Sequence, residues 1–127
     1  MRVLIAEDDK GVAGTLADMI SVSNHEVVEI VDSGLEAIRA YERHKPDVVV
    51  MDYLMSGLNG ATACRNILAK HPGARIILVS AALGAPELSR TRCGAAAILQ
   101  KPLTIYELNQ VLEQVVSSPP ATDTNQI

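Results

Sequence analysis

The sequence lacks tryptophan and phenylalanine, so quenching of tryptophan fluorescence cannot report ligand binding to this chain. It contains no apolar run near the roughly 20 residues that a membrane-spanning helix needs, and its N-terminus has neither the apolar run nor the small-residue cleavage site of a signal peptide. Positive charge is not in excess either, since the formal charge is −4 at pH 7. These absences favour a cytoplasmic protein without direct contact with membranes or nucleic acids.

Cysteine and histidine are too sparse to indicate a disulfide framework or a metal site. Cys64 and Cys93 are the two cysteines of the chain and lie in patterns typical of partly buried helices. Reduced structural thiols are therefore predicted. His25, His44 and His71 are widely spaced, match no metal-ligand pattern, and are predicted to be ordinary surface or loop residues.

What the sequence does contain is a regular alternation of short apolar runs with amphipathic segments. This alternation is typical of repeated strand–helix units around a parallel sheet. The chain has 127 residues, which suits one domain. Five strands are predicted, at residues 3–6, 27–31, 48–51, 76–79 and 95–99.

Five helices are predicted after these strands. The second and fifth begin at capping boxes, SGLE at 33–36 and TIYE at 104–107. The third is expected at about 59–70, and the fourth from Pro86 to Gly94, because proline suits a first helical turn and glycine a C-terminal end. The first and fifth carry apolar stripes with helical spacing, formed by Val12, Leu16, Met19 and Ile20 and by Leu108, Val111, Leu112 and Val115.

Right-handed crossovers leave two main arrangements for such a chain, an eight-unit barrel or an open doubly wound sheet. Because the chain has five units, we predict an α/β fold, a flavodoxin-like doubly wound (βα)5 sandwich with parallel strand order 2-1-3-4-5. Its ligand crevice is expected at the carboxyl ends of the first and third strands. The domain is predicted at 1–117, and the polar segment 118–127 is predicted to be a disordered tail or the start of a linker.

Acidic residues collect at this predicted crevice. The first strand ends at Glu7 and Asp8 and the third at Asp52, and neighbouring strands lie roughly 4.8 Å apart. Like charges at such distances raise one another's pKa or recruit a cation, and carboxylates with open coordination positions suit Mg²⁺. The fourth and fifth strands deliver Ser80 and Lys101 to the same edge.

These residue types together predict a phosphoryl site. Asp52 is predicted to be a carboxylate nucleophile that forms an acyl phosphate. Lys101 would pair with one phosphoryl oxygen, and the Ser80 hydroxyl would hydrogen-bond to another. Taken singly, each residue has a simpler interpretation, as a strand-end acid, a surface lysine or a buried hydroxyl; their combination favours the site.

Over about residues 1–117 the sequence resembles the receiver domains of two-component response regulators. The resemblance rests on four motifs in order, which are Glu7-Asp8, MDYLMSGLNG around Asp52, SA at 80–81 and KP at 101–102. It implies that Asp52 accepts a phosphoryl group from the phosphohistidine of a sensor histidine kinase or phosphotransfer protein. The domain would then be a regulatory phosphoacceptor and not an enzyme.

The resemblance also implies a metal site and an output face. Side chains of Asp8 and Asp52 and the backbone carbonyl of Leu54 would bind Mg²⁺, with Glu7 acting directly or through water. The peptide before Pro102 is expected to be cis. The output face, at about residues 85–117, would bind a downstream output protein or domain, or a second copy of the chain as a homodimer.

Several positions depart from the family pattern. Ser56 replaces the usual loop proline, and Ile98 replaces the aromatic residue that commonly swings inward on activation, which puts the usual switch in doubt. Leu54 and Ala82 stand where polar residues influence hydrolysis, and neither can orient an attacking water. A comparatively long-lived phosphoryl state is therefore predicted.

Two alternative functions remain open from the sequence. Ile98 and Ser56 leave room for a pseudo-receiver that acts as a constitutive docking module. A haloacid-dehalogenase-like aspartyl phosphatase is the other alternative, but such enzymes carry a second acid two residues after the nucleophile, where this chain has Leu54. Phosphorylation at Asp52 would count against the docking module, and turnover of a phosphate monoester would favour the phosphatase.

Overall fold

The computed structural model describes residues 1–117, in which strands and helices alternate. The predicted tail at 118–127 lies outside the described residues. The strands are β1 (Arg2–Ala6), β2 (Glu26–Val31), β3 (Val48–Asp52), β4 (Ile76–Ser80) and β5 (Ala97–Gln100). The helices are α1 (Lys10–Val22), α2 (Gly34–His44), α3 (Gly60–Lys70), α4 (Arg90–Cys93) and α5 (Ile105–Ser117).

The strands form one parallel sheet in the order β2-β1-β3-β4-β5, which confirms the predicted fold and topology. Every residue of β3 and β4 is buried. Strands covered on both faces read as continuous apolar runs, and this is why VVVM and IILV were recognisable without a period-two pattern. Because β1 and β3 are neighbours, with Ala6 opposite Met51, their carboxyl ends meet at one edge.

The core has two layers, one on each face of the sheet. Val49 and Met51 pack with α2, α3 and α4 on one face, and Val48 and Val50 pack with α1 and α5 on the other. Alternate residues of a strand point to opposite faces, so one apolar strand supplies both layers. The rigid sheet between the layers fixes the positions of the strand ends.

Side-chain caps begin the second and fifth helices, but only half of the box predicted at 33–36 forms, since Glu36 Oε2 accepts from Arg39 Nη1 over 2.9 Å. The backbone N–H of Glu36 donates to Ser33 Oγ over 3.1 Å. At α5 the cap is reciprocal, since Glu107 N donates to Thr104 Oγ1 over 3.1 Å and Thr104 N donates to Glu107 Oε1 over 3.2 Å. This box orients the first turn of α5 directly after the KP motif.

The fourth helix and the fifth strand differ from the prediction. Helix α4 is a single turn that begins after Ser89, whose Oγ accepts a bond from Arg92 N over 3.2 Å, so Pro86 does not open it. Gly94 does end the helix, in a left-handed conformation with φ of 80°. Strand β5 begins at Ala97, opposite Ile77, two residues later than predicted, because α4 extends to Cys93 and residues 94–96 connect the two elements.

Both cysteines lie within the described residues. Cys64 and Cys93 are buried free thiols, as predicted. Burial raises the pKa of the Cys64 thiol, which disfavours the reactive thiolate. Within residues 1–117, none of the helices combines the length and the apolar character that a bilayer crossing demands.

Candidate functional site

Three carboxylates meet where β1 and β3 end. Glu7 follows β1, and its backbone N–H donates to Val31 O over 2.9 Å, which holds it beside the strand. Asp52 is the last residue of β3; both it and Glu7 are buried, whereas Asp8 is exposed at the mouth. Glu7, Asp8 and Asp52 each offer one carboxylate oxygen, and these three oxygens all lie within 4.8 Å of one another.

The Lys101 ammonium lies between two of these acids. Its Nζ is 2.9 Å from Glu7 Oε1 and 3.3 Å from Asp52 Oδ1. The Lys101 backbone N–H donates to Ser80 O over 2.9 Å, so the lysine is anchored to the end of β4. The peptide between Lys101 and Pro102 is cis, as expected from the resemblance.

Burial and charge set the protonation of the site. The pKa of Asp52 is raised from 3.8 to about 6, chiefly by burial and next by the charge of Glu7, while Lys101 opposes the rise. Burial alone would lower the pKa of Lys101, but its hydrogen bond to Glu7 and the charge of Asp52 hold it above 10.5. Negative charge therefore exceeds positive charge at this edge.

This donor set fits a hard divalent cation such as Mg²⁺. The clustered ligand atoms are carboxylate oxygens, the atoms that such ions prefer. A cation here would also relieve the repulsion that raises the pKa of Asp52. Glu7, Asp8 and Asp52 are the side chains that would hold it, and their role as ligands stays a prediction.

The acceptor loop, residues 53–59, is built for a close turn after Asp52. The N–H of Gly60 donates to Tyr53 O over 2.7 Å, and a Cβ at Gly60 would lie 2.3 Å from Asp52 O. Only glycine permits this approach of α3 to the end of β3. Leu54 lies in the loop with its side chain 67% exposed, and the proposed role of its carbonyl toward the metal stays a prediction.

Ser80 reaches the same edge, but its hydroxyl bonds elsewhere. It is the buried last residue of β4. Its Oγ donates to Ala82 O over 2.6 Å and accepts from Ala82 N over 3.2 Å. The predicted bond to a phosphoryl oxygen therefore requires the Ser80–Ala82 contact to break.

A second polar cluster lies beside the acceptor loop, and the sequence did not indicate it as a unit. Tyr53 Oη donates to Glu87 Oε2, and Asn59 Nδ2 donates to the same oxygen over 3.1 Å. Asn59 was recognisable as a residue that begins α3, and its Oδ1 accepts from Thr62 N over 2.8 Å. No sequence pattern marked Glu87 as a partner of the loop, because Glu87 lies in a segment predicted to be helical.

Ile98 lies in β5 opposite Leu78 and packs, partly buried, against the core layer formed with α2, α3 and α4. An aliphatic residue therefore fills the position at which the family commonly has an aromatic one. Its side chain carries no polar group that could hydrogen-bond to a rotating Ser80 hydroxyl. The fold accommodates the departure, and a hydrogen bond from residue 98 to Ser80 is not available.

Comparison with known proteins decides the family. The model of the response regulator receiver domain matches residues 3–113. The chain belongs to this family. As a receiver domain it is a regulatory part of two-component signalling and not an enzyme in the ordinary sense, and the resemblance inferred from the four motifs is confirmed.

This receiver domain is similar both to a longer regulator and to one of about its own length. Transcriptional regulatory protein PdtaR of Mycobacterium tuberculosis is 38% identical over 117 residues, which cover 91% of this chain and 57% of PdtaR. The chain thus spans just over half the length of that relative. Chemotaxis protein CheY of Thermotoga maritima is 34% identical, with 90% of this chain and 96% of CheY covered.

A solved structure shares the fold closely. A chain in the complex of CheX, CheY, BeF3 and Mg²⁺ from Borrelia burgdorferi superimposes with a TM-score of 0.85 at 28% identity. The match covers 93% of this chain and 90% of that chain. The similarity extends over nearly all of the receiver domain.

Proposed function

We propose that this receiver domain is a phosphorelay switch in which Asp52 accepts a phosphoryl group from the phosphohistidine of a sensor kinase or phosphotransfer protein. The observation that carries the proposal is the buried Asp52 carboxylate, held 3.3 Å from Lys101 Nζ and grouped with Glu7 and Asp8. The domain would act in the cytoplasm, where such kinases present their donor domains.

The transfer exchanges one bond for another. An Oδ oxygen of Asp52 attacks phosphorus, and the P–N bond to the donor imidazole breaks with its electron pair returning to nitrogen. The product is an acyl phosphate on Asp52. Lys101 Nζ contacts both Glu7 and Asp52 before the transfer, and it would donate a hydrogen bond to a phosphoryl oxygen afterwards.

Mg²⁺, when bound by the acids, would supply positive charge between Asp52 and the incoming phosphoryl dianion. Glu7 and Asp8 would hold that charge beside the acceptor. Ser80 would turn its hydroxyl from Ala82 O to a phosphoryl oxygen, because a charged acceptor forms the stronger hydrogen bond. That turn would carry the signal into the β4–α4 segment, residues 81–89.

The output face proposed at residues 85–117 contains exposed apolar groups that suit a protein partner. Tyr106 is 70% exposed and Ile105 41% exposed on the first turn of α5. Residue-specific NMR shifts on this face after addition of beryllofluoride and Mg²⁺ are expected. Unchanged shifts there would argue against this choice of face.

Phosphorylation can be tested directly with a small donor. Treatment with acetyl phosphate and Mg²⁺ should add one phosphoryl group by intact mass, with Asp52 as the modified residue. Asp52→Asn should abolish the addition, whereas Asp18→Asn, an exposed acid on α1, should leave it unchanged. A wild-type protein that remains unmodified would favour the docking-module alternative.

The same labelled protein tests the predicted lifetime. Leu54 and Ala82 are both exposed beside the site and apolar, so neither can position a water for attack on the phosphoryl group. Slow loss of the added mass after removal of acetyl phosphate is expected. Rapid loss without an added phosphatase would contradict this prediction.

A further inference from the structure

The acceptor loop and the β4–α4 segment are joined by hydrogen bonds that converge on one carboxylate. Tyr53 Oη and Asn59 Nδ2 both donate to Glu87 Oε2. Tyr53 directly follows the acceptor Asp52, and Asn59 ends the loop. Glu87 thus ties both ends of the loop to a segment that is distant in sequence, by separations of 34 and 28 residues.

The β4–α4 segment depends on such tethers because it has no helical ladder of its own. It turns once, where Leu88 N donates to Ala85 O over 2.9 Å, and it anchors Leu88 in the core. Residues 81–84 are exposed. At its start, the segment is held by the Ser80–Ala82 hydrogen bonds, and near its end by Tyr53, Asn59 and Glu87.

These two tethers hold the same segment in the same position. A Ser80 hydroxyl that turns toward a phosphoryl group must release Ala82 O, which removes the shortest of the hydrogen bonds at the start of the segment. The bonds at Glu87 resist displacement of its other end. A contact made in only one of two conformations stabilises that conformation by its full free energy.

We propose that Glu87 is a positioning residue that latches the β4–α4 segment onto the acceptor loop in the unphosphorylated state, and that activation opens this latch. The inference rests on the proposed phosphorylation of Asp52. The latch would link Asp52 to the output face without an aromatic residue at position 98, where this chain has Ile98.

Tyr53 suits this role because its ring and its hydroxyl make separate contacts. The ring packs, partly buried, against the core layer on the α3 side, and the hydroxyl extends to Glu87. Phenylalanine would keep the ring and remove the donor.

The test uses beryllofluoride with saturating Mg²⁺ as a mimic of the phosphoryl group, with affinity measured by NMR titration. Tyr53→Phe should bind it about threefold to tenfold more tightly than wild type, as expected for loss of roughly one partly exposed hydrogen bond from the inactive state. Glu87→Ala should gain at least as much, because it removes the bonds from both Tyr53 and Asn59. The double variant should gain no more than Glu87→Ala alone, because that substitution already removes the bond from Tyr53. Glu42→Ala, which removes a carboxylate on α2 bonded to Lys45 and His71, should match wild type.

Hydrogen exchange gives a readout that a general loss of stability would not mimic. Without beryllofluoride, Tyr53→Phe should exchange faster in residues 81–89 but not in β1 or β3. Asn59→Ser, which keeps an N-cap oxygen for Thr62 N but cannot reach Glu87, should do the same to a smaller extent.

The outcomes separate the two proposals. A wild-type protein that fails to bind beryllofluoride with Mg²⁺ overturns the phosphoacceptor function and the latch with it. If wild type binds but Tyr53→Phe and Glu87→Ala bind equally or more weakly, or if exchange at 81–89 is unchanged, the latch alone is overturned.

Discussion

At the scale of single residues, Asp52 illustrates how a site can be prepared at a cost in stability. Its carboxylate is buried, 8% exposed, beside Glu7, and shares one ammonium with it. The position of Asp52 at the end of β3 determines both its burial and its proximity to Glu7, since β1 and β3 end side by side. The carboxylate of Asp52 is therefore held at this edge although burial disfavours its ionised form.

Replacing this carboxylate should stabilise the protein at alkaline pH. The pKa of Asp52 is raised from 3.8 to about 6, so the folded protein binds this proton more tightly than the unfolded chain does. Stability is therefore lost as the pH rises from about 4 through 6. Asp52→Asn should gain about 1–2 kcal/mol at pH 8 and little below pH 4.

Urea unfolding followed by circular dichroism at several pH values measures this difference. Asp18→Asn is the control, because it removes an exposed acid of α1 and leaves the buried cluster intact. An Asp52→Asn variant that is less stable than wild type at pH 8 would contradict the prediction. It would mean that the attraction of Lys101 outweighs burial and Glu7.

At the scale of elements, β2 is tied to the end of α2 by one carboxylate. Glu29 Oε1 lies 2.8 Å from both Arg43 Nη2 and His44 Nε2. Strand β2 is the edge of the sheet, so this contact helps to hold the edge against the helix. Its three groups are all partly exposed, which limits the free energy at stake.

Glu29→Gln should therefore destabilise the domain slightly and in a pH-dependent way. Hydrogen bonds from Arg43 and then His44 lower the pKa of Glu29 below 4.5. A lowered carboxyl pKa stabilises the fold above the ordinary value, and this stability is lost as the pH falls through the lowered pKa. We expect a loss below about 1 kcal/mol at pH 6 that shrinks toward zero in acid.

The comparison with Glu26→Gln on the same strand controls for general effects of charge on β2. Chemical denaturation at pH 6 and at pH 3 gives both free energies of unfolding. A pH-independent difference between Glu29→Gln and wild type would show that the two ion pairs do not contribute.

At the scale of the whole molecule, the sheet brings distant segments to one edge. Glu7 and Lys101 are separated by 94 residues yet lie 2.9 Å apart. Two core layers hold the sheet rigid between them, so the edge is a consequence of the entire domain. Anything that binds at this edge should therefore stabilise the global fold.

Mg²⁺ should raise the melting temperature of the wild-type protein in a concentration-dependent way. A ligand present at 100 times its dissociation constant adds about 2.7 kcal/mol to the stability of the folded state. Asp8→Asn should reduce the response, since Asp8 is an exposed member of the acidic cluster whose replacement disturbs no core packing.

Calorimetry with NaCl at matched ionic strength separates ion binding from screening of charge. Wild type should gain more from Mg²⁺ than from sodium, and this difference should be smaller in Asp8→Asn. An equal response of the two proteins to Mg²⁺ would place the ion elsewhere.

The sequence by itself determined the strand order and the residues at the strand ends. Apolar run length, helical spacing and capping boxes are local signals, and parallel topology then carries Glu7, Asp8, Asp52 and Lys101 to one edge. Tertiary structure alone decided the single turn of α4, the bond from Ser80 to Ala82, and the convergence of Tyr53 and Asn59 on Glu87. The convergence on Glu87 joins residues 34 and 28 positions apart, and no local pattern specifies how such segments satisfy one another's polar groups. The α4 turn and the Ser80–Ala82 bond are local in sequence, but packing against the rest of the domain overrides local propensity there.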